Sequence, residues 1–282
     1  MKSTACLLLS SCYKPGIVAG ISQFFKERDL NILTFEQHSD EGRFFTRVEW
    51  EDDGRWKNQE DFRSEFQSCA VDVCAEFSVH FFSAKQTLGL FVSKEPHALV
   101  EFLARWEMGE YANTEVSFIV SNTEDSKVFA DRYAIPFFYV PTKKGSTDHE
   151  AEQLQIIQKF NPDFIGLARY MKVLTKDFID RADCRIINIH HSFLPAFVGA
   201  KPYEMAHEKG VKLIGATSHF VIPELDQGPI IEQDVTRVKA GDSIPKLKQR
   251  GRDTEKRVFA NALSKVLEHK VIIYKGRTMV FE

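Results

Sequence analysis

The sequence predicts an α/β protein in two parts, and two observations carry this prediction. Over residues 1–82 of the 282-residue chain, the apolar patterns follow the order strand, helix, strand, strand, helix, strand. Over residues 86–282, strands alternate with helices, which indicates βαβ units and a doubly wound, mostly parallel sheet. We therefore expect one domain at residues 1–82 and a second domain at residues 86–282.

The first domain starts with an apolar segment at Thr4–Ser10, which we interpret as a strand. Its core Ala5–Leu9 is shorter than the roughly 7–15 apolar residues of a secretory signal. Pro15 suits the first turn of a helix, and an apolar stripe at helical spacing continues to about Arg28. Strand, strand, helix and strand are then predicted at Asn31–Glu36, Phe44–Trp50, Gln59–Cys74 and Ala75–Phe82. This order is the ferredoxin-like pattern.

The second domain follows a short polar bridge, and its apolar strands fit burial on both faces, as in a Rossmann-like sheet. Strands are predicted at Thr87–Val92, Glu115–Ser121, Phe137–Val140, Phe164–Ala168 and Arg185–Ile189. The helices between them are predicted at Glu95–Trp106, Ser126–Tyr133, Asp148–Phe160 and Lys176–Arg181. Two strands, a long helix containing Gly251 and a final hairpin are predicted at Leu213–Ile222, Pro229–Val238, Ser243–His269, Val271–Tyr274 and Thr278–Phe281.

Composition and charge argue against several classes of function. A formal net charge of -3 provides no basic excess for nucleic acid, so we expect no nucleic-acid partner. No apolar run approaches the roughly 20 residues of a membrane span, so we expect no membrane partner. The five cysteines form no Cys-x-x-Cys pair and are odd in number, which suits reduced thiols in a cytoplasmic protein.

Polar side chains follow the apolar strand Arg185–Ile189. Because side chains alternate along a strand, Asn188 and His190 point to the same side. They lie at the carboxyl end of the strand, the edge at which parallel sheets hold their ligands. By itself, this pattern also fits an ordinary strand end followed by polar turn residues.

Two longer motifs resemble the family of transferases and hydrolases that use 10-formyltetrahydrofolate. Its signature is Asn-x-His-x-Ser-Leu/Phe-Leu-Pro followed by Leu-Asp-x-Gly-Pro, and the chain carries both, from Asn188 to Pro195 and from Leu225 to Pro229. The string from His190 to Tyr203 resembles one branch, the formyltetrahydrofolate deformylases. The resemblance implies a formyl-transferase domain that needs no cofactor and takes 10-formyltetrahydrofolate as its substrate. It also implies a role in supplying formate for purine synthesis and in balancing one-carbon pools.

The resemblance implies that Asn188, His190 and Asp226 are catalytic. Hydrolysis of a formamide needs a donor to the developing oxyanion, a group that moves protons, and a group that positions water. Asn188 can donate an amide N–H without ionising, and the unperturbed pKa of His190 lies near neutrality. Asp226 would favour the imidazolium form of His190, or would hold or activate the water. The division of proton transfer between these two residues stays open.

The resemblance also implies positions that bind the folate. They are Met171, Lys172 and Leu174, together with the Val221–Gln227 loop, and they contact the pterin largely through backbone groups. The first of these segments leaves the carboxyl end of a strand, although it also fits an ordinary strand-to-helix connector. His219 matches a second histidine near the active site, so we expect it to support substrate binding. Metal-ligating residues do not cluster in the sequence, and we predict no metal.

Two neighbours of His190 have simpler interpretations. His191 is expected to point away from the site as a structural histidine, because side chains alternate along a strand. Ser192 has no base partner and no Gly-x-Ser-x-Gly elbow, so it is not expected to be a nucleophile.

The first domain carries Lys-Pro-Gly between its first strand and helix, and this motif with the βαββαβ order resembles ACT domains, small regulatory modules that bind amino acids. Tyr13 stands where that family usually has Asp. The domain is therefore expected either to bind an amino-acid effector, with glycine and methionine as ligands to try, or to serve as a structural module for self-association. We expect a homo-oligomer.

The turn Ser93–His97 bears on the choice of acceptor. It replaces the glycine-rich turn with which related folds bind phosphate, and Glu95 would repel a phosphate. The related glycinamide ribonucleotide transformylases hold a phosphorylated amine, so hydrolysis is the leading hypothesis. The alternatives are formyl transfer to an amine and a non-catalytic sensor of folate or an amino acid; the intact catalytic trio argues against the sensor.

Overall fold

A computed structural model describes residues 3–56, 58–72, 75–143, 145–196 and 202–282. The chain divides into two compact units. Unit 1 holds the residues up to Lys85 together with Glu268–Glu282, and unit 2 holds Gln86–Leu267.

Unit 1 begins with a four-stranded antiparallel sheet. Its elements are β1 (Thr4–Cys12), α1 (Ile17–Lys26), β2 (Ile32–Asp40), β3 (Arg43–Glu51), α2 (Gln59–Asp72) and β4 (Glu76–Phe81). The strand order is β2-β3-β1-β4, with every neighbouring pair antiparallel. The elements follow in the predicted order; the predicted helix end at Cys74 lies outside the described residues.

Unit 2 is built on a seven-stranded sheet. Its strands are β5 (Gln86–Val92), β6 (Thr114–Ser121), β7 (Phe137–Tyr139), β8 (Phe164–Ala168), β9 (Arg185–His190), β10 (Leu213–Phe220) and β11 (Ile230–Arg237). Its helices are α3 (His97–Glu107), α4 (Lys127–Arg132), α5 (Asp148–Phe160), α6 (Lys176–Ala182), α7 (Pro202–Glu208) and α8 (Ile244–Leu267). In the order β11-β10-β9-β8-β5-β6-β7, the five strands from β9 to β7 run parallel, while β10 pairs antiparallel with both β9 and β11. The predicted α/β architecture with a mostly parallel sheet is confirmed.

The strand order of unit 2 opens a crevice at one edge of the sheet. From β5 the chain proceeds to β6 and β7 on one side, and then to β8 and β9 on the other. The loops that follow β5 and β8 therefore leave in opposite directions at the carboxyl ends of these strands. In doubly wound sheets this topological switch point is where ligands bind.

Two local features of unit 2 differ from the predictions. Helix α7 was not predicted, because its seven residues are too few to show a helical period. Gly251 does not interrupt α8, and a side chain is excluded at this position by the close approach of Tyr203. A Cβ atom on Gly251 would lie 1.9 Å from the hydroxyl oxygen of Tyr203, a residue of α7.

The C-terminal hairpin, β12 (Val271–Tyr274) and β13 (Arg277–Val280), belongs to unit 1. Leu8 and Phe45 point to one face of the antiparallel sheet and pack with Ile272, Tyr274, Met279 and Phe281. Arg47, 3% exposed, donates to the carbonyl oxygens of Glu268 and His269, at 3.2 Å each. The second domain was expected to extend over residues 86–282, but residues 268–282 belong to unit 1. The reason is that this hairpin covers one face of the four-stranded sheet of unit 1.

The other face of that sheet carries the main core of unit 1. It includes Leu7 from β1, together with an aromatic cluster of Phe24, Phe25, Trp50, Phe62 and Phe66. No helix in the described segments is long and apolar enough to cross a membrane.

Candidate active site

Strands β9 and β10 bring the predicted catalytic residues together. They pair antiparallel, with Asn188 opposite His219 and His190 opposite Thr217. Because side chains alternate along a strand, Asn188 and His190 lie on the same face of β9. The Asp-x-Gly segment follows β10, and its Asp226 returns to this face.

The polar atoms of this group are close to one another and largely buried. Nδ1 of His190 lies 3.3 Å from Oδ1 of Asp226, and Nε2 of His219 lies 3.7 Å from the same oxygen. Nδ2 of Asn188 lies 3.3 Å from Nε2 of His219. The two histidines are 7% and 2% exposed, so water screens these contacts weakly.

The surroundings fix the protonation of the group. A hydrogen bond from His190, and next the close contact with the His219 ring, hold the pKa of Asp226 far below its ordinary value, so this residue is a carboxylate. His190 therefore presents a protonated Nδ1 to Asp226. Its Nε2 is buried and makes no hydrogen bond within the described part of the chain. In neutral His190 this nitrogen carries the lone pair that can accept a proton.

Nδ1 of His219 lies 2.9 Å from the carbonyl oxygen of Phe220, which can only accept, so this nitrogen carries a proton. In the neutral ring, Nε2 then accepts from the amide of Asn188. One N–H of this amide is used in that bond, and the other is left for a ligand.

The glycine of the Asp-x-Gly motif is required by a close backbone approach. A Cβ atom on Gly228 would lie 1.7 Å from the carbonyl oxygen of Phe220. The loop is fixed there by a 2.9 Å hydrogen bond from the amide of Phe220 to the carbonyl of Pro229. Asp226 itself adopts a left-handed backbone conformation, with φ 56°, which turns it back toward the histidines.

The segment after His190 is tied to β10 by Thr217. The hydroxyl of Thr217 donates to the carbonyl of Ser192 at 2.9 Å and accepts from the amide of Leu194 at 3.0 Å. The hydroxyl of Ser192 donates to the carbonyl of Ala196 at 3.1 Å, which is a structural contact. Residues 197–201 of the motif lie outside the described residues.

The predicted folate-binding segment is tethered at both ends. The amide of Met171 donates to the hydroxyl of Ser93 at 3.0 Å, and the amide of Thr175 donates to the buried Glu150 at 2.8 Å. Between these tethers, Leu174 is buried in the core. The backbone of the segment is thereby held in a fixed position at the crevice.

These parts line one open cavity of about 260 Å³, close to the lower end of the roughly 300–1,000 Å³ range of small-molecule sites. The individually predicted residues line it, namely Met171, Lys172, Leu174, Asn188, His190, His219 and Asp226. Of the Val221–Gln227 loop, all residues except Glu224 and Gln227 line it. Apolar walls are supplied by Leu167, Val173, Ile179, Val221 and Ile222. His191 lines it too, since β9 ends at His190 and strand alternation no longer applies there. Among the described residues, no group of three His, Cys, Asp or Glu side chains could hold a metal ion.

Comparison with known proteins identifies the family. The formyl transferase model matches residues 88–263. The formyltetrahydrofolate deformylase of Synechocystis sp. is 43% identical over 99% of this chain and 98% of its own length. That of Bacillus subtilis is 42% identical over 98% of this chain and 93% of its own length. The chain belongs to the formyltetrahydrofolate deformylase family.

Solved structures agree with membership of the deformylase family. A formyltetrahydrofolate deformylase from Pseudomonas syringae pv. tomato has a TM-score of 0.94 and 37% identity, covering all of this chain and 95% of its own. Glycinamide ribonucleotide transformylase 1 from Symbiobacterium toebii has a TM-score of 0.67 and 27% identity, covering 72% of this chain and 97% of its own.

A second polar cluster, which sequence reasoning missed, lies in unit 2 of this deformylase-family chain. Glu255 of α8 is 1% exposed, and its Oε2 lies 2.7 Å from Nε2 of His97 and 3.2 Å from Nε of Arg169. The hydroxyl of Tyr203 donates to its other oxygen. Burial alone would raise the pKa of Glu255, but the hydrogen bond from His97 and the charge of Arg169 together lower it to about 2. The only sequence signal was the position of Arg169 at a strand end.

Proposed function

We propose that this chain hydrolyses 10-formyltetrahydrofolate to tetrahydrofolate and formate. The observation that carries the proposal is the meeting of Asn188, His190 and Asp226 on one wall of an open, mostly apolar cavity, in a member of the deformylase family. The apolar walls suit a pterin ring. The tethered backbone after Met171 offers it hydrogen-bonding groups.

In the proposed mechanism, the free N–H of Asn188 donates to the formyl oxygen. Nε2 of His190 takes a proton from water as the water oxygen bonds to the formyl carbon, and the carbonyl electron pair moves onto oxygen. The C–N bond then breaks, its electron pair goes to the folate nitrogen, and His190 returns the proton there. The second proton of the water is released as formic acid ionises to formate.

Asp226 and His219 support these steps. Because its pKa is far below the ordinary value, Asp226 remains a carboxylate and stabilises the imidazolium that forms on His190. His219 holds the Asn188 amide in the orientation that leaves one N–H for the oxyanion. This division makes His190 the proton carrier and Asp226 its electrostatic partner.

Water is the proposed acceptor because the turn after β5 is filled with side chains. Glu95 pairs with Arg252, with Oε2 and Nε 2.9 Å apart, and His97 pairs with Glu255. A phosphorylated amine would meet a carboxylate here and no bare backbone. The supply of formate for purine synthesis and the balance of one-carbon pools follow as the proposed physiological role.

The test is to incubate the purified protein with 10-formyltetrahydrofolate, with and without glycinamide ribonucleotide, and to measure formate and formylated nucleotide. We expect formate at the same rate in both reactions. His190→Ala and Asp226→Asn should each lower turnover by about 100- to 10,000-fold with unchanged folding, whereas the exposed control His207→Ala should keep it. Formylated nucleotide in place of formate would make the protein a transferase. No product of either kind would favour the sensor.

For unit 1 we propose a ferredoxin-like, ACT-type module that binds an amino acid or mediates self-association. Its βαββαβ order and antiparallel strand order support this, as does Gly16, which starts α1 in a left-handed conformation with φ 92°. Turnover measured against a panel of amino acids, including glycine and methionine, tests the effector. If none of the amino acids changes the rate, self-association remains as the proposed role, and sedimentation of the protein measures it. The free thiols of Cys6, Cys12 and Cys184 support a cytoplasmic setting.

A further inference from the structure

The second polar cluster lies at the topological switch point of the sheet. His97 is the first residue of α3, which follows β5, and Arg169 directly follows β8. These are the adjacent parallel strands whose following loops leave in opposite directions. A charged group at this point occupies the position in which doubly wound sheets hold their ligands.

Arg169 is held in an unusual way. Its φ of 62° is in the left-handed region, which is rare for residues with a side chain and costs about 1 kcal/mol or more. Its side chain is only 11% exposed, although it carries a full charge. Such a conformation is retained where the surrounding structure fixes it, and it sends the guanidinium toward Glu255.

The charges of the cluster are paired, but its hydrogen bonds are incomplete. Nε of Arg169 is 3.2 Å from Glu255, yet neither Nε nor Nη1 makes a hydrogen bond in the described segments. Nδ1 of His97 is likewise buried without a hydrogen bond there, and it lies 3.9 Å from Oε2 of Glu95. Buried polar atoms are rarely left unpaired, and a guanidinium offers the planar fork that matches a carboxylate.

The cluster adjoins the catalytic trio. In the register between β8 and β9, Leu167 lies opposite Asn188. Arg169 and His190 each come two residues later, so the chain leaves β8 at Arg169 beside the end of β9. Both residues line the cavity of about 260 Å³.

We propose that Arg169 forms a subsite for a small carboxylate, which receives the formate released beside His190. The ligand accepts from Nη1–H of the guanidinium, the unpaired donor that does not face Glu255. Glu255 fixes the orientation of the fork and offsets part of its charge. The identification of the ligand as formate rests on the proposed hydrolysis, whereas the affinity of the subsite for a small carboxylate does not.

The test compares inhibition of turnover by sodium formate and by sodium chloride at constant ionic strength. Removing Arg169 alone would leave Glu255 buried without its counter-charge, so the first variant is the double Arg169→Gln, Glu255→Gln. We expect its inhibition constant for formate to rise by about 10- to 100-fold, as for loss of hydrogen bonds to a charged group. The control is Arg252→Gln, which removes an exposed cation from α8, the helix that carries Glu255. Its inhibition constant for formate should stay within about twofold of wild type.

A second variant keeps the test informative if the double variant does not fold. Arg169→Lys retains the charge but loses the planar fork, and should weaken formate inhibition about tenfold with little change in KM for the folate. Equal formate inhibition in wild type and variants, or formate acting no better than chloride, would overturn the subsite. If wild type releases no formate, the proposed function fails. A rise in melting temperature with formate, present in wild type and absent in the variants, would then still support the subsite.

Discussion

Gly228→Ala places one methyl group against the backbone that orients the candidate active site. The added Cβ would lie 1.7 Å from the carbonyl oxygen of Phe220 and 3.3 Å from Nδ1 of His219. To restore a separation of about 3 Å, the two backbones must part by about 1.3 Å. This shift moves the acceptor that fixes His219 and the loop that carries Asp226. Since a misplacement of about 1 Å can cost about 100-fold in rate, we expect turnover to fall by about two orders of magnitude.

The assay is formate release by Gly228→Ala, together with its thermal unfolding. Overpacking should also lower stability by about 1–3 kcal/mol. Gly241→Ala is the matched control, because Gly241 has φ 83° and no heavy atom within 4 Å of the added Cβ. It should lose about 1–2 kcal/mol of stability from backbone strain and keep its turnover. Near-normal turnover by Gly228→Ala would refute the argument that this contact positions Asp226 and His219.

Three further outcomes follow from the structure. Gly251→Ala in a helix ordinarily adds about 1 kcal/mol of stability, but here it should lower the melting temperature, because the new Cβ would lie 1.9 Å from the hydroxyl of Tyr203. Glu255 has a pKa of about 2 in the folded protein, below its ordinary value of 4.5, and this difference stabilises the fold by about 3 kcal/mol. The stabilisation should be complete above pH 4.5 and lost as the pH falls toward 2, so Glu255→Gln should flatten this part of a stability–pH profile. Deleting residues 268–282 should lower the unfolding free energy of unit 1 by about 3–6 kcal/mol in urea, since it exposes Leu8 and Phe45 and burial of each contributes about 1.5–3 kcal/mol. An unchanged urea-unfolding transition would contradict the packing of the hairpin on this face.

The sequence predicted the parts of the site that depend on local pattern. Strand β9 is an apolar run that ends in Asn188 and His190, and alternation alone places these two residues on one face. Gly228 was recognised as part of a motif. Its physical reason, the approach of Phe220, required the fold.

The second polar cluster could not be predicted in this way. Glu255 contacts His97, which is 158 positions away in the sequence, and Tyr203, which is 52 positions away. Local sequence patterns do not indicate contacts at such separations. The C-terminal hairpin was predicted as a hairpin, yet its assignment to unit 1 depends on Leu8 and Phe45, which lie more than 200 positions earlier in the chain. Pairing between distant residues is fixed by the packed structure.

Because unit 1 is made of two separated stretches of chain, its parts emerge from the ribosome at different times. All of residues 86–267 are synthesised between them. At about 5–20 residues per second, the first stretch waits on the order of 10–40 s for residues 268–282. During that time the sheet face with Leu8 and Phe45 has no cover, and it is the kind of surface that chaperones bind. Unit 2 can therefore finish folding before unit 1, although synthesis of unit 1 starts first.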